Sequence, residues 1–317
     1  MPCAAICAES HSVRWADLVA GAGIFPRIGL KLITRRGGRV SDLDRVPPPG
    51  VDTRVPSVAR MYDYYLGGKD NFAADREAAE KMIELGRAMG NDARQIAQAN
   101  RGFLGRAVRL LAENGITQFV DIGAGLPTQD NVHQVAQRHA SGSRVVYVDN
   151  DPIVLTHARA LLARDPDVLA LAGDLRDPDA IFDDPQVAAH VDLSRPCAVL
   201  LVAVLHFITD DAEAAKIVAR IRERLAPGSY LVLSHLYEGN ATDDMAHAGQ
   251  SVYAGTTSGG LARRGYDQIA AYFEGLEPLP PGIVPVDAWD PHVEPGPDLD
   301  LDRPGILAGV GRVPAGD

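Results

Sequence analysis

The chain has 317 residues, 46% of them hydrophobic and 23% charged. That is the composition of a globular protein long enough to bury a full core, as one large domain or one domain with appendages. A formal net charge of −11 argues against a surface built to bind nucleic acid phosphates.

Three cysteines, Cys3, Cys7 and Cys197, give no disulfide framework. Cys3 and Cys7 have no second Cys/His pair at a suitable spacing, so no metal is expected. Cys197 opens an apolar run and reads as a core thiol. No stretch approaches the roughly 20 apolar residues of a membrane span. No basic region followed by an apolar one opens the chain, so the expectation is a cytoplasmic protein with no membrane partner.

In chain order, residues 1–50 stand apart. They carry seven Lys/Arg against four Asp/Glu and end in Pro47-Pro-Pro-Gly50, with no sustained period. The segment reads as a disordered leader or as a start assigned too far upstream, with a targeting arm as a third reading. Residues 51–115 then read as helices that form a cap or lid on the larger domain after them. Ser57–Leu66 follows Pro56 with Ser57 as N-cap, Gly67-Gly-Lys-Asp-Asn71 breaks it, and Asp75–Leu85 and Asp92–Asn114 continue it, the last stopped by Gly115.

From residue 116 to 317 strands and helices alternate. Strands are expected at Thr117–Ile122, Arg144–Asp149, Val168–Ala172, Cys197–Leu205 and Ser229–Ser234. Helices are expected at Asn131–His139, Pro152–Ala163, Pro178–His190 and Glu213–Leu225. Tyr237–Gly260 reads as a long connection, either covering a substrate or simply solvated. A helix at Tyr266–Phe273 and strands at Val284–Val286 and Ile306–Arg312 close the chain. This is the pattern of a doubly wound, mostly parallel α/β sheet with seven strands, one of the last two antiparallel.

Gln118–Thr128 carries the chemistry. A short apolar strand containing Asp121 breaks into Gly123-Ala-Gly-Leu-Pro-Thr128, whose glycines allow positive φ and close approach of a ligand to the backbone. The next strand ends in Asp149, placed to accept both hydroxyls of a ribose in the crevice where parallel strand ends meet. A dinucleotide fingerprint would have a third glycine where Thr128 stands. Asp121 would repel a pyrophosphate but pair with an amino-acid ammonium. S-adenosylmethionine has that ammonium, a ribose and no phosphate, so it is the expected cofactor, with NAD as the rival. The same glycines also occur in plain strand-to-helix turns.

Further motifs accumulate. Arg60-Met-Tyr-Asp-Tyr-Tyr-Leu-Gly-Gly-Lys-Asp-Asn-Phe-Ala-Ala-Asp-Arg76 resembles the opening motif of an actinobacterial family of S-adenosylmethionine-dependent methyltransferases, formerly catalogued as a domain of unknown function. Asn100-Arg-Gly-Phe-Leu104, Phe119–Thr128, Tyr147-Val-Asp-Asn-Asp-Pro152 and Ala203-Val-Leu-His-Phe-Ile208 resemble it too. So do Gly265-Tyr266, Phe273, Gly275-Leu276, Pro285-Val286 and Trp289. The resemblance spans roughly residues 52 to 313 and implies a class I, Rossmann-like methyltransferase fold and its cofactor, but no substrate.

Candidate cofactor-binding residues are Asp121, Gly123, Ala124 and Gly125 for the methionine moiety, and Asp149 with Asn150 for the ribose. Asp174 and Leu175 are assigned to the adenine, and Ala203 to the border of the reacting methyl. Asp151 reads as the cap of the following helix, and a cap is equally open for Asp174. Tyr65 and Lys69 belong to a lid over the cofactor, against a reading in which Tyr62 and Leu66 simply pack on the core. His206 and His235 follow strand ends and are the candidate bases for a hydroxyl acceptor; a polar rim is the plain alternative. His133, His139 and His157 fall on helices and are expected at the surface. No Gly-x-Ser-x-Gly elbow supports a hydrolase.

The expected function is methyl transfer to the oxygen or nitrogen of a small-molecule acceptor. Rival readings are an S-adenosylmethionine-binding regulator without turnover, a nicotinamide oxidoreductase, and a macromolecule methyltransferase whose nucleic-acid form the net charge disfavours. A homodimer is compatible with all of them.

Overall fold

A computed structural model describes Pro47 and residues 51–127, 130–162, 165–293 and 299–315; these belong to the unit Asp42–Asp317. The expectations for the leader and for Cys3, Cys7 and Thr128 fall outside the described residues.

The sheet is built from β1 (Gln118–Ile122), β2 (Arg144–Asp149), β3 (Val168–Ala172), β4 (Ala198–Val202), β5 (Tyr230–Tyr237), β6 (Glu277–Pro278), β7 (Val284–Pro285) and β8 (Gly305–Arg312). Its order is β3-β2-β1-β4-β5-β8-β6, with β7 also on β8. The first five strands are parallel, and β8 is antiparallel to β5. β6 and β7 are two short pieces that pair with β8 in the same sense. Counted as one interrupted edge strand, they give the seven positions expected from the sequence.

Alternating side chains explain the two cores. Val120, Val146, Val199 and Leu231 join one buried cluster, while Phe119, Val145, Ala198 and Val232 join the other, as the period of two in a strand requires. The first face is covered by α6 (Pro178–Phe182), α7 (Pro185–His190), α8 (Asp211–Glu223) and α10 (Tyr266–Ala271). The segment Pro178–His190, expected as one helix, breaks because Pro185 starts a new one, capped by Asp184 accepting from the Gln186 N–H at 2.7 Å.

The second face receives α3 (Ala93–Glu113), α4 (Val132–His139) and part of α5 (Pro152–Leu162). Helix α3 buries Ala97, Leu104, Ala107, Val108 and Leu111, a stripe at helical spacing. A third cluster joins α1 (Val58–Tyr65), α2 (Ala73–Ala88) and α9 (Asp243–Ala254) through Met61, Ile83, Ala97, Tyr253 and Leu261. Helix α9 lies in the segment that reads as a connection. Its polar composition hides it, and its stability comes from Tyr253 packing in that cluster rather than from propensity.

Candidate functional site

The C-terminal ends of β1 to β5 open into one cleft, where the sheet winds outward from β1 toward β3 and from β4 toward β5. The cavity is about 280 Å³ and is roofed by α1, α2 and α9.

Its floor begins where β1 ends. Gly123 has φ of 77°, and a Cβ there would lie 2.3 Å from Val204 Cγ2. Both facts demand glycine. The Gly123 and Ala124 N–H groups donate to Val148 O at 2.8 and 3.2 Å, so the loop folds across the end of β2. Asp149 fastens it further: Oδ2 accepts from Gly125 N–H at 2.9 Å and Oδ1 from Asp151 N–H at 2.9 Å. Each carboxylate oxygen keeps a lone pair for a ligand hydroxyl. Asp151 caps α5 through Ile153 N–H at 2.8 Å and accepts the Ser57 hydroxyl.

Asp121 is buried beside this loop. Burial pushes its carboxyl up to about 7; the Arg101 cation on α3 works against the rise and the Asp149 charge adds to it. Burial raises Asp149 as well. Two buried carboxyls that are costly to ionise gain from a cation brought between them.

The β3 end supplies Asp174 and Leu175; Asp174 also accepts from the Arg176 N–H at 2.9 Å, the turn role that was the alternative. At the β4 end Ala203 has φ of 56°, a strain of about 1–3 kcal/mol that the surroundings must over-determine. A hydrogen-bonded chain does so. Ala203 N–H donates to Ser234 Oγ at 2.9 Å, and Ser234 Oγ donates to Asn100 Oδ1 at 2.7 Å. Asn100 Nδ2 donates to Tyr62 Oη at 2.9 Å, and that hydroxyl donates to Ala97 O at 3.1 Å. The roof, α3 and the strand ends are thereby one connected unit.

The opening motif serves two ends. Its charged residues are structural: Arg60 Nε pairs with Asp75 Oδ1 at 3.0 Å in a buried bridge. Asp63 Oδ2 accepts from Asp70 N–H and Asn71 Nδ2 at 2.9 and 2.8 Å, and a Cβ on Gly68 would strike its carboxylate at 1.9 Å. Its aromatic residues Tyr62 and Tyr65 line the cleft.

Eleven of the residues singled out from the sequence thus meet in the cleft wall: Tyr65, Asp121, Gly123, Ala124, Gly125, Asp149, Asn150, Asp174, Leu175, Ala203 and His206. Two do not. Lys69 is exposed on the Gly-Gly loop, outside the wall. His235 lies inside the protein: Nδ1–H donates to Leu236 O at 2.8 Å, and Nε2 accepts from Arg264 Nη1 at 2.7 Å. Burial holds it well below the ordinary imidazole range, and the base role expected of it has no access to a substrate. His206 lines the cleft but is buried, pushed down to about 3 chiefly by desolvation and then by Arg264. It stays neutral and is a poor proton acceptor. Of the helical histidines, His139 is exposed while His133 is half-buried, bonding the Tyr147 hydroxyl at 2.8 Å.

Asn100 and Arg101, quoted above only within a family motif, Tyr253, within the connection Tyr237–Gly260, and Arg263, which drew no attention, also line the cleft. Asn100 had a legible signal, because it interrupts the apolar stripe of α3 between Ala97 and Leu104.

The sequence profile of the S-adenosyl methyltransferase family matches residues 44–314. The chain belongs to this family. Two solved structures are similar across most of it. A Thermobifida fusca protein assigned as a methyltransferase is 40% identical, covering 85% of this chain and 99% of its own, with a TM-score of 0.76. A DUF574 family protein from Streptomyces avermitilis is 39% identical, covering 83% and 99%, with a TM-score of 0.74. No curated protein matches the sequence.

The enzyme is therefore an S-adenosylmethionine-dependent methyltransferase, and the nicotinamide and non-catalytic readings fall away. The site fits that cofactor on its own terms. The Gly123 cradle would be filled by a Cβ, and the buried carboxyls of Asp121 and Asp149 suit a ligand with an ammonium, a sulfonium and a ribose. Among the described residues no helix is long and apolar enough to cross a membrane.

Proposed function

We propose that this methyltransferase acts on the oxygen or nitrogen of a small molecule held between the strand ends and the tyrosine-bearing roof. One observation carries the reading: the cleft has two unlike halves. The half at β1 to β3 is acidic and built of backbone turns; the half under α1, α2 and α9 is apolar and aromatic, with Tyr62, Tyr65, Met82 and Tyr253 in its wall. An enclosed apolar chamber beside a polar cradle suits a small ligand better than a macromolecular surface.

In this reading Asp121 holds the methionine ammonium, with the loop Gly123–Gly125 beneath it. Asp149 and Asn150 hold the ribose, and Asp174 with Leu175 borders the adenine. Bound S-adenosylmethionine supplies a methyl already activated on sulfur. The chain's own contribution is alignment and exclusion of water: Ala203 and His206 border the transfer path while the roof closes it. His206, neutral and buried, donates or packs rather than withdrawing a proton. The acceptor must then bring its own nucleophile, an amine or a readily ionised hydroxyl.

The test is transfer of a labelled methyl from S-adenosylmethionine by the full chain across a panel of small phenols and amines, beside proteins and nucleic acids. Label in one or more small molecules supports the reading. Label confined to a protein or nucleic acid overturns it.

A further inference from the structure

Two arginines, Arg101 and Arg263, reach the acceptor half of the cleft. The carboxylates that line the cavity are Asp121, Asp149, Asp151 and Asp174, all at the β1 to β3 ends. Arg101 lies beside Asp121, and Arg176 is held in the turn of Asp174. Across the cavity, among the described residues, Arg263 stands against the roof with no carboxylate of the lining beside it.

Arg263 is unlike its neighbour Arg264. The guanidinium of Arg264 is fully engaged by Asp211, His235 and the Ile208 carbonyl. Arg263 Nη1 is buried and has no hydrogen-bond partner among the described residues. Nη2 lies 3.4 Å from where a Cβ on Gly249 would stand, so the group rests against α9. Burial lowers its proton affinity, and the neighbour that opposes this is the neutral Tyr253 hydroxyl rather than a carboxylate. A buried guanidinium atom with no partner is costly and rare. The side chain also lines the cavity, and an anion arriving there with the substrate would compensate the guanidinium charge.

The surrounding wall defines the rest of the ligand. Phe207 and Tyr253 lie with ring centroids 5.8 Å apart, and Tyr65 adds a flat side with its hydroxyl buried. Flat aromatic walls select a flat body. One guanidinium balances one negative charge, and burying a dianion such as a phosphate against it would leave charge uncompensated.

We propose that Arg263 is the specificity-determining residue for the methyl acceptor, and that the acceptor is an aromatic carboxylate. Its carboxylate pairs with the guanidinium while the ring lies among Tyr65, Phe207 and Tyr253. The inference rests on the methyl-transfer reading and narrows its substrate.

The test uses the full chain saturated with S-adenosylhomocysteine, titrated with the three hydroxybenzoates and 4-hydroxyphenylacetate and with the matching carboxamides. At least one carboxylate is expected to bind about tenfold more tightly than its amide. Arg263→Gln should erase that preference while leaving S-adenosylhomocysteine affinity within about twofold, and Arg263→Lys should keep part of it. Equal or tighter binding of the amides, no binding of any probe, or a preference that survives Arg263→Gln overturns the proposal. Failure of S-adenosylhomocysteine itself to bind would instead remove the methyl-transfer reading beneath it.

Discussion

The hydroxyl of Ser234, within β5, donates a 2.7 Å hydrogen bond to Asn100 Oδ1 on α3, and both residues are buried. Through Ala203 on one side and Tyr62 on the other, this pair couples the strand that borders the transfer path to the roof above it. Asn100→Ala takes one hydrogen-bond partner from each of two hydroxyls, those of Ser234 and Tyr62, and should cost about 1–3 kcal/mol. Ser234→Ala should cost less. In a double-mutant cycle read by chemical denaturation, the two are expected to couple by about 0.5–3 kcal/mol. Simple additivity would show that the chain does not act as a unit.

Asp121 should make cofactor binding depend on pH. Burial pushes its carboxyl up to about 7, and pairing with an ammonium lowers that value. Binding therefore expels a proton below pH 7, and S-adenosylhomocysteine affinity should weaken by up to about tenfold per pH unit there. Asp121→Asn should bind weakly with a flatter profile. The empty protein carries the linked stability effect. Because the folded value lies above the ordinary 3.8, this carboxyl favours the folded state at low pH. That contribution is lost as pH rises toward about 7. The melting temperature of the wild type should therefore fall relative to that of Asp121→Asn as pH rises through that window.

Gly123→Ala meets two obstacles, a left-handed φ and a Cβ 2.3 Å from Val204 Cγ2. The conformational part alone is worth about 1–2 kcal/mol, and cofactor affinity should fall severely. Adding Val204→Ala relieves the 2.3 Å contact but leaves the Cβ at position 204 only 2.7 Å away and leaves the strain, so no more than partial recovery is expected in calorimetry. No recovery would mean that the φ, or direct occlusion of the ligand, is decisive.

The roof has its own lock. Arg60 and Asp75 form an ion pair with side chains 2% and 0% exposed, and Asp75 also accepts the N–H groups of Ser57 and Phe72. Asp75→Ala strands the Arg60 charge and two backbone donors, and should cost about 3–5 kcal/mol by denaturant titration. A loss below about 1 kcal/mol would show that water reaches the pair.

The sheet was legible because its signals are local. Arg144–Asp149 is a strand with the expected bounds, and Asp149 takes its meaning from standing at the end of one. The glycine loop was legible for the same reason, since its conformation is written in residue type. Helix α9 was not, because Asp243–Ala254 is held by distant partners on α1 and α2 rather than by its own apolar period. His235 misled because β5 runs on to Tyr237, so the residue expected just past a strand end lies inside the strand, where Arg264, distant in sequence, holds it. Lys69 misled because a motif was read as one functional block, although Asp63 and the glycines use it to close a loop. Arg263 gave no signal beside Arg264; what separates them is which one finds partners.

The loop at Gly125 and the carboxylate of Asp149 form the cradle on which the assignment of S-adenosylmethionine to this cleft depends. The most direct measurement is calorimetric titration of the full chain and of Asp149→Ala with S-adenosylmethionine, S-adenosylhomocysteine and NAD. The first two should bind in about the micromolar range and NAD not at all. The variant should lose about 100-fold or more in affinity, since the proposed ribose contacts and the Gly125 tether both go. Binding that survives Asp149→Ala unchanged would contradict the cradle.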